Sequence, residues 1–180
     1  MRKIFVVLFA FSAIFIFTFS IFGQKKTDEK QLAPTFSSVT LDNKAFNTAD
    51  FKGKIVVLNL WFISCPNCIE EIKLLNNVVD EYKNNKDVVF LGLATDKKPD
   101  LEKFLKKNPF SYQIVPNASQ IMLFKFGERQ KNGEYFLPFP THVVIDREGR
   151  LVLKVEGVKG VEAVKNELKK QLETKQTKTK

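Results

Sequence analysis

The sequence predicts an α/β domain built on a central mixed β-sheet with helices on both faces. Three observations carry this. "KIVVLNLWF" (54–62) and "VVFLGLA" (88–94) are near-continuous apolar runs rich in β-branched residues, the pattern of strands buried on both faces. Each is followed by apolar positions at three- and four-residue spacing, the period of an amphipathic helix. "THVVID" and "LVLKV" then read as two strands joined by Asp146-Arg147-Glu148-Gly149, so the sheet closes on a hairpin and is mixed rather than wholly parallel.

The elements follow in order. "TFSSVTLDNKAFNTADFKGK" reads as a short hairpin turning at Asp42-Asn43-Lys44. After the first buried strand, Ile69, Ile72, Leu75, Val79 and Tyr82 mark the inner stripe of a helix ending near Asn84-Asn85. "PDLEKFLKKN" is a short helix with Pro99 in its first turn and Leu101, Phe104 and Leu105 inward. Tyr112 to Val115 is a short strand, and "NASQIMLFKF" a helix capped by Asn117. A last helix carries Val161, Val164, Leu168 and Leu172 at helical spacing. No internal repeat is present, and 180 residues suit one domain with a substantial core.

The ends read differently. Residues 1–23 carry Arg2 and Lys3 before an apolar run from Ile4 to Phe22, the layout of an export signal. As a helix the run would span roughly 28 Å, enough for a membrane anchor, so cleavage after Gly23 and retention as an anchor both stay open. Either way the domain is expected outside the cytoplasm, in the periplasm or cell envelope. Residues 24–33 read as a polar linker, 34–172 as the domain, and 173–180 as a disordered basic tail. The net charge of +9 lies largely in these ends, and no recognition motif accompanies it, which argues against nucleic acid.

Both cysteines of the chain, Cys65 and Cys68, stand where the first buried strand gives way to the helical pattern. A structural brace would close a two-residue gap and contribute little, because loop entropy grows with loop length. A zinc site needs four ligands, and one C-x₂-C supplies two, with the single histidine, His142, distant in sequence. Redox exchange fits the surroundings best. Cys65 is placed as helix N-cap and Pro66 as the first helical residue, so its sulfur faces unpaired amides and the positive end of the dipole, which favour thiolate. Cys68, one turn on, is placed to resolve a mixed disulfide formed on Cys65.

"FKGKIVVLNLWFISCPNC", "CPNCIEE" and "FPTHVVIDREGRLV" together resemble the thioredoxin superfamily, and more narrowly its exported TlpA/ResA-like branch. The resemblance spans nearly the whole domain. It implies a thioredoxin-like fold with an N-terminal β-hairpin and a helical insertion, and a thiol–disulfide oxidoreductase needing no cofactor beyond a redox-active Cys65–Cys68 disulfide. It implies Cys65 as nucleophile and Cys68 as resolving cysteine. Pro140 matches the branch's cis-proline, which presents backbone to a bound chain, and Glu71 matches a carboxylate near its active site. Sequence geometry supports Glu71 independently. At about 100° per residue it lies about 60° from the stripe centred on Ile72, Leu75 and Val79, whereas Glu70 points away and reads as solvated.

Around these, Trp61 matches the first aromatic of the branch's strand end, a role that coexists with simple packing. Pro66, Asn67 and Phe139 complete the expected substrate-binding set. His142 follows on the strand after the proline; its plainer reading is an ordinary strand position, its sharper one a tuning of the site. Ser64 stands where a second tryptophan is common, Phe139 is bulkier than usual, and "GERQKNGEYFLPFP" is long enough to loop over the site. The implied partners are extracytoplasmic thiol or disulfide proteins and a membrane electron donor, with the chain a monomer. Two rivals stand beside this: a redoxin-type peroxidase, for which "FISC" lacks the T-x-x-C arrangement, and a copper-delivery module using the same cysteines.

Overall fold

The alternation of side chains along one central strand decides which helix packs on which face. The computed structural model describes residues 31–177. The segment expected to act as an export signal or anchor, most of the expected linker and residues 178–180 lie outside them. β1 (Ser37–Val39) and β2 (Ala45–Asn47) pair as the expected antiparallel hairpin. Asn43 takes the left-handed backbone at its turn, which asparagine tolerates. Asn47 then caps a 3₁₀ turn, Thr48–Phe51, through a reciprocal bond with Asp50.

The main elements are β3 (Ile55–Trp61), α1 (Pro66–Tyr82), β4 (Val88–Ala94), α2 (Lys98–Leu105), β5 (Gln113–Val115), α3 (Ser119–Phe126), β8 (Thr141–Ile145), β9 (Leu151–Glu156) and α4 (Gly160–Thr177). Between α3 and β8 lies a second small hairpin, β6 (Glu128–Arg129) with β7 (Tyr135–Phe136). The central sheet has the order β5-β4-β3-β8-β9; β3, β4 and β5 run parallel, and β8 and β9 are antiparallel to their neighbours. It is the mixed sheet that the closing hairpin predicts.

On β3 the even positions Val56, Leu58 and Leu60 join Leu91, Leu93, Val143 and Ile145 under Met122 and Phe126 of α3. The odd positions Ile55 and Val57 join Val144 under Leu75 and Val78 of α1 and Val161, Val164 and Leu168 of α4. Every residue of β3 is buried, as a strand covered on both faces requires. Asn59 is the one polar side chain in that strand, and it falls on the α1/α4 face.

Four expectations need correction. The inner face of α1 is Cys68, Glu71, Ile72, Leu75, Val78 and Val79, while Ile69 is 41% exposed. The buried stripe is thus rotated toward Glu71, because that carboxylate finds polar partners on the sheet. Asn117 does not cap α3; it adopts the left-handed backbone, and Ala118 occupies the cap position without a side-chain bond. "GERQKNGEYFLPFP" forms the β6–β7 hairpin rather than an open loop. At the ends, Leu32 bridges Arg150 and Ala33 N–H bonds Gly149 O (2.9 Å), so the last linker residues are tied to the sheet. α4 continues to Thr177, past the boundary expected at 172.

Candidate active site

At its C-terminal end β3 runs out through Phe62, Ile63 and Ser64 into the cysteine turn. Ile63 N–H donates to Asp96 Oδ2 (2.9 Å) and Cys65 N–H to Phe62 O (3.2 Å), which fixes the path of this crossing. Cys65 is the N-cap of α1 with extended backbone, and Pro66 opens the helix, as expected. The Cys65 sulfur accepts the Cys68 N–H at 3.1 Å, so it occupies the capping place that a serine or aspartate oxygen usually fills. Cys65 and Cys68 are joined as a disulfide, and both are buried. The intervening Pro66 and Asn67 are exposed, and so is Ser64.

Pairing across the sheet brings the distant segment to the same place. β8 starts at Thr141, opposite Leu60, so the residues just before it arrive where β3 ends. The Phe139–Pro140 peptide is cis. Phe139 packs against the cluster that holds Trp61, Cys65 and Cys68, and its ring meets Phe62 edge-on at 5.2 Å. Pro140 itself is buried, and its carbonyl accepts the Gly157 N–H (2.8 Å). Trp61 is almost wholly enclosed, stacked on Phe110 at 4.6 Å with Phe104 at 5.7 Å. Its position is that of a packing residue beneath the site, not of a face open to a bound chain. Gly92 makes room for it: a Cβ there would come within 3.1 Å of the indole nitrogen, 3.0 Å of the Tyr112 ring and 2.6 Å of Ile114.

Beneath the cysteines lies a chain of polar groups that composition and spacing reveal only in part. Glu71, one turn after Cys68, is 2% exposed. Its Oε1 accepts from Asn59 Nδ2 at 2.7 Å, and its Oε2 lies 3.0 Å from His142 Nε2. The Tyr112 hydroxyl in turn donates to Asn59 Oδ1 (3.2 Å). Both carboxylate oxygens therefore have partners, which a buried carboxylate requires. Glu70 is exposed. Of the expected residues, the structure brings together Cys65, Cys68, Glu71, Phe139, Pro140 and Trp61. Sequence reasoning missed Asn59 and Tyr112. The available signal for Asn59 was a lone amide inside an otherwise apolar strand.

Burial, and secondarily the charge of Glu71, push the Tyr112 phenol well above its usual value. Below about pH 10 both folded and unfolded chains keep this proton; above it the unfolded chain loses it first, so stability falls as pH rises. We expect denaturant unfolding at pH 8 and pH 11 to show a smaller alkaline loss for Tyr112→Phe than for the wild type. At pH 8 the variant should be less stable by about 1 kcal/mol, because Asn59 Oδ1 loses its donor.

Among the described residues no group of three or more His, Cys, Asp and Glu side chains is placed to hold a metal ion, and no helix is long and apolar enough to cross a membrane.

Comparison with known proteins places this geometry. A model of the AhpC/TSA family matches residues 30–154. The thiol-disulfide oxidoreductase ResA of Bacillus thuringiensis subsp. konkukian (strain 97-27) is 26% identical over 148 residues, covering 82% of this chain and 80% of its own. The thioredoxin-like protein YneN of Bacillus subtilis (strain 168) is 30% identical over 122 residues, 67% of each chain. A thiol:disulfide interchange protein of the thioredoxin family from Chlorobium tepidum TLS superposes with a TM-score of 0.59 at 28% identity, over 70% of this chain and 85% of that one.

Proposed function

We propose that this chain, which belongs to the AhpC/TSA family and is a thiol–disulfide oxidoreductase, reduces disulfides of proteins outside the cytoplasm. The observation that carries the reading is the Cys65–Cys68 disulfide at the first turn of α1, directly preceding Glu71 on the buried face. In the reduced protein the Cys65 thiolate attacks a client disulfide; a new S–S bond forms to one client sulfur and the other leaves as thiolate. Cys68 gives its proton to Glu71 and attacks Cys65 Sγ. The mixed disulfide breaks, the second client sulfur leaves as thiolate, and the Cys65–Cys68 bond closes. Client reduction is thus matched by oxidation of the protein dithiol, and a membrane-bound dithiol protein is the donor that restores it.

Several observations support the details. Pro66 and Asn67 are exposed beside the disulfide, and the half-buried Phe139, held by the cis bond to buried Pro140, packs on the cysteine cluster, where an extended client chain would pass. The charged-then-apolar N-terminus supports export to the periplasm or cell envelope. No further cofactor enters the cycle, and the chain acts as a monomer.

The test is a rapid-mixing comparison of the pre-reduced protein against a protein disulfide and against hydrogen peroxide. We expect oxidation of the dithiol by the protein disulfide to dominate. Preference for peroxide would replace this reading with a peroxidase. No exchange with either, combined with a reduction potential far below about −300 mV, would leave a structural brace.

A further inference from the structure

We infer that His142 is a positioning residue of the exchange reaction, holding Glu71 as the base that takes the proton of Cys68. This deepens the reading above and rests on it. The paired residues across the sheet form one row on the α1/α4 face: Ile114, Gly92, Asn59, His142 and Val155. Two neighbours in that row, Asn59 and His142, supply the partners of a single carboxylate lowered onto them by α1. The Glu71–His142 contact joins residues 71 positions apart, both with almost no solvent exposure.

The imidazole is itself held. His142 stands between Asn59 on β3 and Val155 on β9. Gly160, at the start of α4, lies so close that a Cβ would reach within 2.7 Å of ring atom Cδ2. A side chain at 160 would displace the ring; glycine lets α4 close over it. Nδ1 is buried and has no hydrogen-bond partner among the described residues. A bare lone pair left in that position costs less than an unpartnered N–H, so the geometry assigns the ring proton to Nε2, donated to Glu71 Oε2. That donation fixes the orientation of the carboxylate beneath the helix. Two of the carboxylate's lone pairs are occupied by Asn59 and His142, and the remaining ones are available for the proton leaving Cys68. The ionisable group joined to the pair is Tyr112, from the segment before β5, through Asn59; Cys68 lies one turn before Glu71 on the buried face of α1. β9 and α4 present Val155 and Gly160 to the ring.

Because His142 is the only histidine of the chain, its ring nitrogens give unambiguous ¹⁵N signals. Two measurements test the inference on the full-length protein. In the first, the wild type should show a protonated Nε2 and a bare Nδ1, with signals that change between the disulfide and dithiol states. Glu71→Gln should remove that change. In the second, the rate of the resolving step is followed against pH for wild type, His142→Leu and His142→Gln. Leucine removes the donor that orients the carboxylate, so the rate near neutrality should fall by about tenfold, a part of the 10²–10⁴ given by a positioned base, and recover at high pH where the thiol ionises unaided. Glutamine keeps an N–H donor and should restore the profile toward that of the wild type. Thermal unfolding of each variant separates these effects from loss of fold. Should His142→Leu misfold, the glutamine profile and the ¹⁵N response decide alone. A protonated Nδ1 in the wild type, ring signals blind to the cysteines, or superimposable profiles would each overturn the role of His142. A wild type that exchanges no disulfide at all would instead overturn the oxidoreductase reading on which the role rests.

Discussion

Replacing Cys68 by serine is expected to leave the protein covalently trapped on its client, whereas replacing Cys65 by serine is expected to leave it inert. The asymmetry follows from where α1 begins. Cys65 is the N-cap, outside the helix proper, with exposed Pro66 and Asn67 beside it. Cys68 is one turn inside, on the buried face with Glu71 and Ile72, although both sulfurs belong to the cluster with Trp61, Ala94 and Leu101. A client sulfur can be attacked from the cap position; a thiol one turn deeper can reach only its neighbour. Serine at position 65 keeps an oxygen able to accept the Cys68 N–H, since serine is among the best N-caps. Loss of the bond costs little stability, because the loop it closes is short. Each variant should therefore fold, and the defect should be chemical. With excess protein disulfide, Cys68→Ser should accumulate a mixed disulfide approaching one client per chain, read by mass spectrometry without reductant. Cys65→Ser should form none, and turnover of both should fall to the uncatalysed level. Equal trapping by the two variants would reverse or abolish the assigned roles.

Much of the fold was legible because its signals are periodic. The runs at 55–61 and 88–94 could be nothing but buried strands once a helical period followed each. The Asp146–Gly149 turn fixed the closing hairpin, and hence the mixed character of the sheet. The misreadings came where local rules compete with tertiary contacts. Ile69 fits the helical stripe as well as Ile72 does, but the stripe's true centre is set by what the sheet offers. With Asn59 and His142 beneath, the helix turns Glu71 inward and leaves Ile69 in solvent. Asn117 obeys the preference of asparagine for special backbone, but as a left-handed residue rather than a cap. The segment 127–140 contains no apolar alternation long enough to announce β6 and β7, each of which is two residues long.

The site was legible to the extent that its chemistry lies within two helical turns. Cys65, Pro66, Cys68 and Glu71 span seven positions, and their order already gives the cysteine pair, the helix start and the buried carboxylate. What surrounds Glu71 comes from β3, β8 and the approach to β5, and sequence offers no register between them. His142 reads from sequence as a strand residue after Pro140, or more sharply as one that tunes the site; its contact with Glu71 depends on β8 pairing antiparallel to β3 with Asn59 opposite His142. A register one residue away would have put the imidazole on the other face of the sheet. Trp61, read from sequence as a strand-end aromatic that could also simply pack, is turned by the strand's alternation into the core beside Phe110.

That network makes Glu71→Gln the sharpest single test of how the cycle is completed. Cys68 is buried in a cluster of apolar side chains, and in the proposed cycle the carboxylate one turn on takes its proton. Glutamine matches glutamate in shape. Its amide oxygen can accept from His142 Nε2, and its NH₂ can donate to Asn59 Oδ1 once that amide turns over and donates from Nδ2 to the Tyr112 hydroxyl. The hydrogen bonds survive in altered polarity, and stability should stay within about 1 kcal/mol of the wild type. The base, however, is gone. Formation of the mixed disulfide on Cys65 should proceed at nearly the wild-type rate. Its resolution should slow by about 10²–10⁴, the contribution of a positioned proton acceptor. The slow step should then rise with pH as the thiol ionises unaided, about tenfold per unit toward the ordinary thiol range near 8.5. Single-turnover mixing with quantification of the transient mixed disulfide separates the two steps. If the folded variant resolves as fast as the wild type at every pH, the carboxylate is a buried structural group and the proton of Cys68 leaves by another route.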